Sequence, residues 1–128
     1  MVDSIANMLS HIKNCVMAKK NLVYIPYSRY KLSLLLAIRN CGFFKRISVL
    51  KHSVFKSDIL IELNYTGGMP LIHNIIQISK SGNRVYWNNK QLKKAKHQVG
   101  VYILSTNKGI RTSLDLPIEG GEVVCKFI

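Results

Sequence analysis

Val101-Tyr102-Ile103-Leu104-Ser105-Thr106-Asn107-Lys108-Gly109 is the stretch that decides how this chain folds. An apolar run opens it; three small polar residues, a cation and a glycine close it. Such a run ends in a turn, because small polar side chains bond their own backbone and glycine bends sharply. A second small loop, Gly120-Gly121-Glu122, precedes a second apolar run, Val123 to Phe127. Two strand-like runs, each tied to a small-residue loop, predict a β-rich C-terminal part. The hydroxyl and amide groups of these loops also suit phosphate oxygens and the ribose 2′-OH. Taken alone, Ser-Thr-Asn-Lys-Gly is equally a solvated polar turn.

Charge favours the phosphate reading. The 128 residues carry 19 Lys and Arg against 6 Asp and Glu, a net charge of +13. That excess costs self-repulsion in the folded state, and an anionic partner relieves it. Nucleic acid is the usual such partner. A membrane surface is the alternative, but no stretch is long and apolar enough to span a bilayer, and the basic residues do not gather on one amphipathic helix. Cys15, Cys41 and Cys125 are widely spaced and odd in number, which argues against a disulfide framework and a zinc site. They are expected to pack as small buried hydrophobes. The four histidines show no metal-ligand spacing, and no metal or cofactor is expected. The N-terminus enters a helical pattern directly, with Asp3 and without a basic-then-apolar layout, so no cleavable address is expected. Residue usage leans to Ile, Asn, Lys, Tyr and Phe, the mark of an AT-rich genome such as an organelle's.

Read in order, Asp3 or Ser4 caps a first helix whose apolar stripe is Ile5, Met8, Leu9, Ile12 and Val16, with His11, Lys13 and Asn14 outward. Lys19-Lys20-Asn21 is a basic turn, and Leu22 to Ile25 a short strand stopped by Pro26. Ser28 caps a second helix that Gly42 ends. Phe43 to Leu50 and Asp58 to Leu63 are strands, joined through His52 to Ser57. Thr66-Gly67-Gly68-Met69-Pro70 is the best linker. Beyond it, Leu71 to Ile78 and Arg84 to Trp87 are strands, joined through Ser79 to Asn83, and Gln91 to His97 makes one or two helical turns. The fold class is α/β, more closely α+β. A helix–strand–helix–strand–strand lobe at 1–66 precedes a β-rich lobe at 67–128 with at most short helices.

These residues resemble ribosomal protein number eight of the small subunit, of the bacterial and organellar type. Asp3 to Leu9 with Ile12-Lys13-Asn14 is similar to that family's opening helix. Ile25-Pro26-Tyr27-Ser28-Arg29 and Lys31 is similar to its turn into the second helix, and Ser79-Lys80-Ser81-Gly82 with Arg84 and Tyr86 to its central loop. Gly100, then Ser105 to Gly109, then Gly120-Gly121-Glu122 with Cys125 resembles its C-terminal signature, the most specific part. Ser4 and Ser81 stand where the family usually has proline, Lys93-Lys94 where it more often has a proline and fewer charges, and 112–120 is short and contains Pro117. The resemblance implies a two-lobed, non-catalytic protein of the small ribosomal subunit. It would bind an irregular stem in the central domain of the small-subunit rRNA early in assembly, beside other small-subunit proteins. With the residue usage it implies the mitochondrial matrix, with a plastid or the bacterial cytoplasm as alternatives.

The expected RNA-binding set is Ser105, Thr106, Asn107, Lys108, Gly109, Gly120, Gly121, Glu122, Lys80, Ser81, Gly82, Arg84, Tyr86, Lys93, Lys94 and Lys31. Duplex RNA is read through its shallow minor groove, where small hydroxyl and amide side chains pair without bulk. Glu122 either accepts from a base amino group or ties down its own glycine loop through backbone N–H groups, and the second is expected. Tyr86 contacts a sugar or base, or is a half-buried strand aromatic. Lys90, Lys93, Lys94 and Lys96 meet phosphates, or form a solvated face. A non-specific RNA chaperone would account for the charge but not for the small-residue loops. A hydrolase built on Ser105 with His97 or His73 lacks the nucleophile elbow and an orienting acid.

Overall fold

The computed structural model describes residues 4–95, 99–115 and 120–128. Helix α1, Ser4–Met17, buries Met8, Leu9, Ile12, Cys15 and Val16 on one stripe and exposes His11, Lys13 and Asn14. Ser4 is already helical, and Asp3, the other expected cap, lies outside the described residues. The helix ends in a Schellman motif. Lys19 N–H donates to the Val16 carbonyl and Lys20 N–H to that of Cys15, with Lys19 at φ +56°. A side chain in that left-handed position is normally replaced by glycine.

Strand β1, Leu22–Pro26, leads into helix α2, Arg29–Asn40. Ser28 caps α2, its hydroxyl accepting from Lys31 N–H at 3.1 Å, as its position before the apolar run predicts. Gly42, at φ +94°, ends the helix. Strands β2, Phe44–Lys51, and β3, Ser57–Leu63, complete a three-stranded sheet in the order β1-β3-β2. Both neighbours run antiparallel to β3, so β1 and β2 are parallel, with α2 as the crossover between them. Ile61 stands between Val23 and Ile47, and Ile59 between Ile25 and Val49.

The expected linker is instead a hairpin. Strands β4, Tyr65–Thr66, and β5, Met69–Pro70, flank a two-residue turn of Gly67 and Gly68, both at positive φ (+60° and +80°). That is the backbone a tight hairpin turn demands. The expected strand Leu71 to Ile78 shortens to β6, Ile75–Gln77. Its first residues bond elsewhere: Leu71 N–H to the Asn64 carbonyl, His73 and Asn74 N–H to that of Ile128. Strand β7, Tyr86–Asn88, runs into helix α3, Asn89–Ala95. This helix begins before the expected Gln91. Asn88 and Gln91 cap each other reciprocally, each backbone N–H donating at 2.9 Å to the other's side-chain oxygen. The expected end at His97 lies outside the described residues, as do Lys96 and Pro117.

Strands β8, Val101–Thr106, β9, Gly109–Thr112, and β10, Gly120–Phe127, build the second large sheet, in the order β6-β10-β8-β9. Strand β7 also pairs with β10, at its other end. Residues alternate along β8: Val101 and Ile103 join the main core, while Tyr102 and Leu104 pack with Leu92 and Ala95 of α3. A bulge in β10 keeps the faces in phase. Val123 pairs with Leu104 and Cys125 with Ile103, so Val124 is the extra residue. Val123 therefore faces α3 while Cys125 and Phe127 enter the main core. That core is continuous from Ile12 and Leu34 through Ile61 to Ile103 and Phe127, and the Phe127 ring lies 5.5 Å from Phe43 and 6.2 Å from Phe44.

Two outcomes follow from this packing. Lys19→Gly removes the left-handed strain at the end of α1 and should raise unfolding stability in urea by about 1 kcal/mol. Cys15 and Cys125 are buried, burial pushes the Cys125 thiol up to about 12, and Cys41 is only half-buried. The expectation of three buried thiols thus fails at Cys41, the C-cap of α2. In the native protein a thiol reagent should label Cys41 first. Cys15 and Cys125 should label only at the rate of unfolding.

Candidate nucleic-acid interface

The Ser-Thr-Asn-Lys-Gly stretch closes the β8–β9 hairpin. Thr106 pairs with Gly109 across Asn107 and Lys108, and Gly109 sits at φ +104°. The Thr106 hydroxyl donates to the Gly109 carbonyl at 2.8 Å and accepts from Lys108 N–H at 3.2 Å. That side chain thus holds its own turn, and Asn107 and Lys108 stand exposed at the tip.

Pairing at the start of β10 gathers the remaining loops. Glu122 stands between Ser105 of β8 and Tyr86 of β7. Cross-strand neighbours share a face, so Ser105, Glu122 and Tyr86 form a row. Tyr86 is 67% exposed, which excludes the half-buried alternative. The Glu122 carboxylate does not follow the expectation of backbone partners within its own loop: it accepts from the Arg84 guanidinium at 3.2 Å. Arg84 is half exposed, so the pair adds little stability. Its effect is to orient Arg84 while leaving other guanidinium N–H groups free to donate.

The expected role of the two glycines changes. A Cβ on Gly121 would lie 2.6 Å from the Ser105 carbonyl oxygen and 2.9 Å from Thr106 Cγ2. On Gly120, at φ +136°, it would lie 2.6 Å from the Trp87 carbonyl oxygen. Both positions are closed by this chain's own neighbouring strands, so larger residues there would disturb the sheet itself. Gly82 is the opposite case: its φ is not positive and a Cβ there would meet nothing within 4 Å.

Lys80, Ser81, Gly82 and Arg84 lie on one fastened loop. Lys80 and Asn83 exchange backbone hydrogen bonds of 3.0 and 2.9 Å. Buried Ser79 pins the base, its hydroxyl accepting from Val85 N–H at 3.0 Å and donating to the Val85 carbonyl at 3.3 Å. Ser81, Arg84, Ser105 and Glu122 line one cavity of about 460 Å³, together with Ser4, Tyr30, Gln77 and Ser79. Tyr30 was not anticipated. It lines that cavity with Ser105 and Glu122, and its pKa is raised above the ordinary tyrosine value, chiefly by burial. An aromatic on the first turn of a capped helix was its signal in the sequence. Lys93 and Lys94 lie exposed on α3, whose first residue follows β7 directly, while Leu92 and Ala95 pack inward. Lys31 follows Tyr30 in α2 and is half-buried.

Ser79→Ala should cost about 1–3 kcal/mol, because both bonds are lost and Val85 N–H is left without that acceptor. Urea unfolding measures the loss, and limited proteolysis should show faster cleavage at Lys80 and Arg84.

Comparison with known proteins agrees with this architecture. The family model described as ribosomal protein S8 matches residues 3–127. A protein named small ribosomal subunit protein uS8 from Citrifermentans bemidjiense is 42% identical over 130 aligned residues, covering 98% of this chain and 96% of the relative. Proteins of the same name from Xylella fastidiosa and Azorhizobium caulinodans are 38% and 34% identical, covering 98% and 96% of this chain and 96% and 95% of the relatives. With one family model over nearly its whole length and relatives at this identity, the chain belongs to the ribosomal protein S8 family.

Proposed function

We propose that this protein is a non-catalytic structural component of the small ribosomal subunit that binds the central domain of the small-subunit rRNA directly and supports its assembly. One observation carries the reading. Segments 80–84, 105–109 and 120–122, far apart in sequence, meet at one end of the second large sheet, with exposed lysines around them. Family membership supports the place in the subunit. In this reading residues 67–128 form the β-rich RNA-binding lobe and 1–66 the α/β lobe that shares its core.

The surface suits an irregular stem. Asn107 and Ser105 offer hydrogen bonds without bulk, as the minor groove requires. Arg84, held by Glu122, and Lys80, Lys93, Lys94 and Lys108 meet phosphates, while Tyr86 lies against a sugar or base. The open space at Gly82 admits a backbone at close range. The residue usage supports a mitochondrial ribosome; the relatives named above are bacterial, which is equally compatible with a bacterial cytoplasm.

Affinity for a central-domain stem fragment should fall steeply with salt. Replacing Lys93 and Lys94 with glutamine should weaken binding to cognate and unrelated RNA alike and flatten the salt slope by roughly one unit per lost phosphate contact. Ser105→Ala should weaken cognate binding by about 1 kcal/mol and leave the slope unchanged. Equal affinity of the wild type for cognate stem and unrelated duplex at fixed salt would make the protein a non-specific chaperone.

A further inference from the structure

The β2–β3 connection carries a feature that the proposed RNA surface does not use. Val54 is 94% and Phe55 99% exposed, the two most exposed large apolar side chains among the described residues. Their loop is closed rather than loose. His52 and Ser53 N–H both donate to the Lys56 carbonyl, at 2.9 and 3.1 Å, and Phe55 N–H donates to the Ser53 hydroxyl at 3.3 Å. At its base the His52 ring lies 2.8 Å from the Asp58 carboxylate. A closed loop that holds a phenyl ring wholly in water forgoes the burial that would stabilise it. Lys51 and Lys56 flank the apolar pair, both exposed, and the acid nearest in sequence, Asp58, is paired with His52.

We infer that this finger is a second nucleic-acid contact, in which Phe55 stacks on an unpaired RNA base while Lys51 and Lys56 hold the adjoining phosphates. An aromatic ring between cations is how single-stranded bases are held, since every base presents a π-face and its phosphates supply the negative charge. A docking site for a basic protein fits less well, because two lysines and no free carboxylate surround the apolar tip. The inference rests on the RNA-binding reading above only for the sign of the partner. Its ligand is a single strand rather than a stem, and its residues lie in the N-terminal half.

The test uses the full chain and a ten-nucleotide oligouridylate containing 4-thiouridine, with the central-domain stem fragment as a parallel probe. Phe55→Ala should weaken oligouridylate binding by about fivefold to 150-fold, the range for loss of one stacked base. Phe55→Leu, apolar but not aromatic, should lose nearly as much, and Phe55→Trp should bind at least as tightly as wild type. Irradiation of the wild-type complex should place a crosslink on Phe55. All three variants should bind the stem fragment as wild type does, because the residue is solvent-exposed and distant in sequence from the strand row; wild-type failure on the stem would refute the earlier reading without touching this one. Wild-type affinity of Phe55→Ala for oligouridylate, or crosslinks only at other residues, overturns the inference. If Phe55→Leu binds oligouridylate as wild type does, stacking is overturned. Reduced incorporation of Phe55→Ala into small-subunit particles, together with unchanged oligouridylate binding, makes the finger a protein-docking element instead.

Discussion

The extra residue in β10 is the constraint on which the C-terminal half depends. Strand side chains alternate with period two, and β10 must serve two apolar regions at once: the main core and the smaller one under α3. Without the bulge at Val124, Val123 and Cys125 would point the same way. With it, Val123 seals α3 onto the sheet while Cys125 and Phe127 fill the main core. The same shift sets Glu122 between Ser105 and Tyr86. A packing requirement in the interior therefore decides which polar side chains line up at the sheet's end.

The glycines and Glu122 show how such a surface is made firm before any ligand arrives. Gly120 and Gly121 let adjacent strands close up against their backbone, and Ser79 and Thr106 each spend a hydroxyl on fixing a turn. Glu122, a carboxylate in a strongly basic chain, holds an arginine in place. Two of the small polar residues at this end of the molecule, Ser79 and Thr106, thus act on the protein itself, leaving Ser81, Ser105 and Asn107 for other partners. Preorganisation of this kind lowers the entropy lost on binding.

Much of this was legible in the sequence because it is local. The stripe of α1, the Ser28 cap and the alternation of β3 follow from period and capping chemistry. The reciprocal cap of Asn88 and Gln91 is equally local, and it starts α3 at Asn89, two residues before the expected Gln91. Other features are set by contacts at long range. Leu71 to Ile78 has strand composition throughout, but composition does not show that His73 and Asn74 donate to Ile128. Gly67 and Gly68 have linker chemistry and hairpin geometry together, and only the pairing of Tyr65 with Pro70 separates them. The partner of Glu122 lies 38 residues away, and Tyr30 lines the cavity beside Ser105 from another element altogether.

The position of β10 in the sheet has a consequence for the order of synthesis. It is the strand that joins β6, β7 and β8, and it is translated after all three. While the chain is still emerging, the β8–β9 hairpin can close on its own, but β6 and β7 must wait for their partner. The N-terminal sheet has no such delay, since β1, α2, β2 and β3 follow one another closely. A nascent chain should therefore show protease resistance in two steps, with the surface around Glu122 maturing last. Until that second step the half-formed sheet exposes unpaired strand edges in a strongly cationic chain, a state that early capture by a polyanion would shorten.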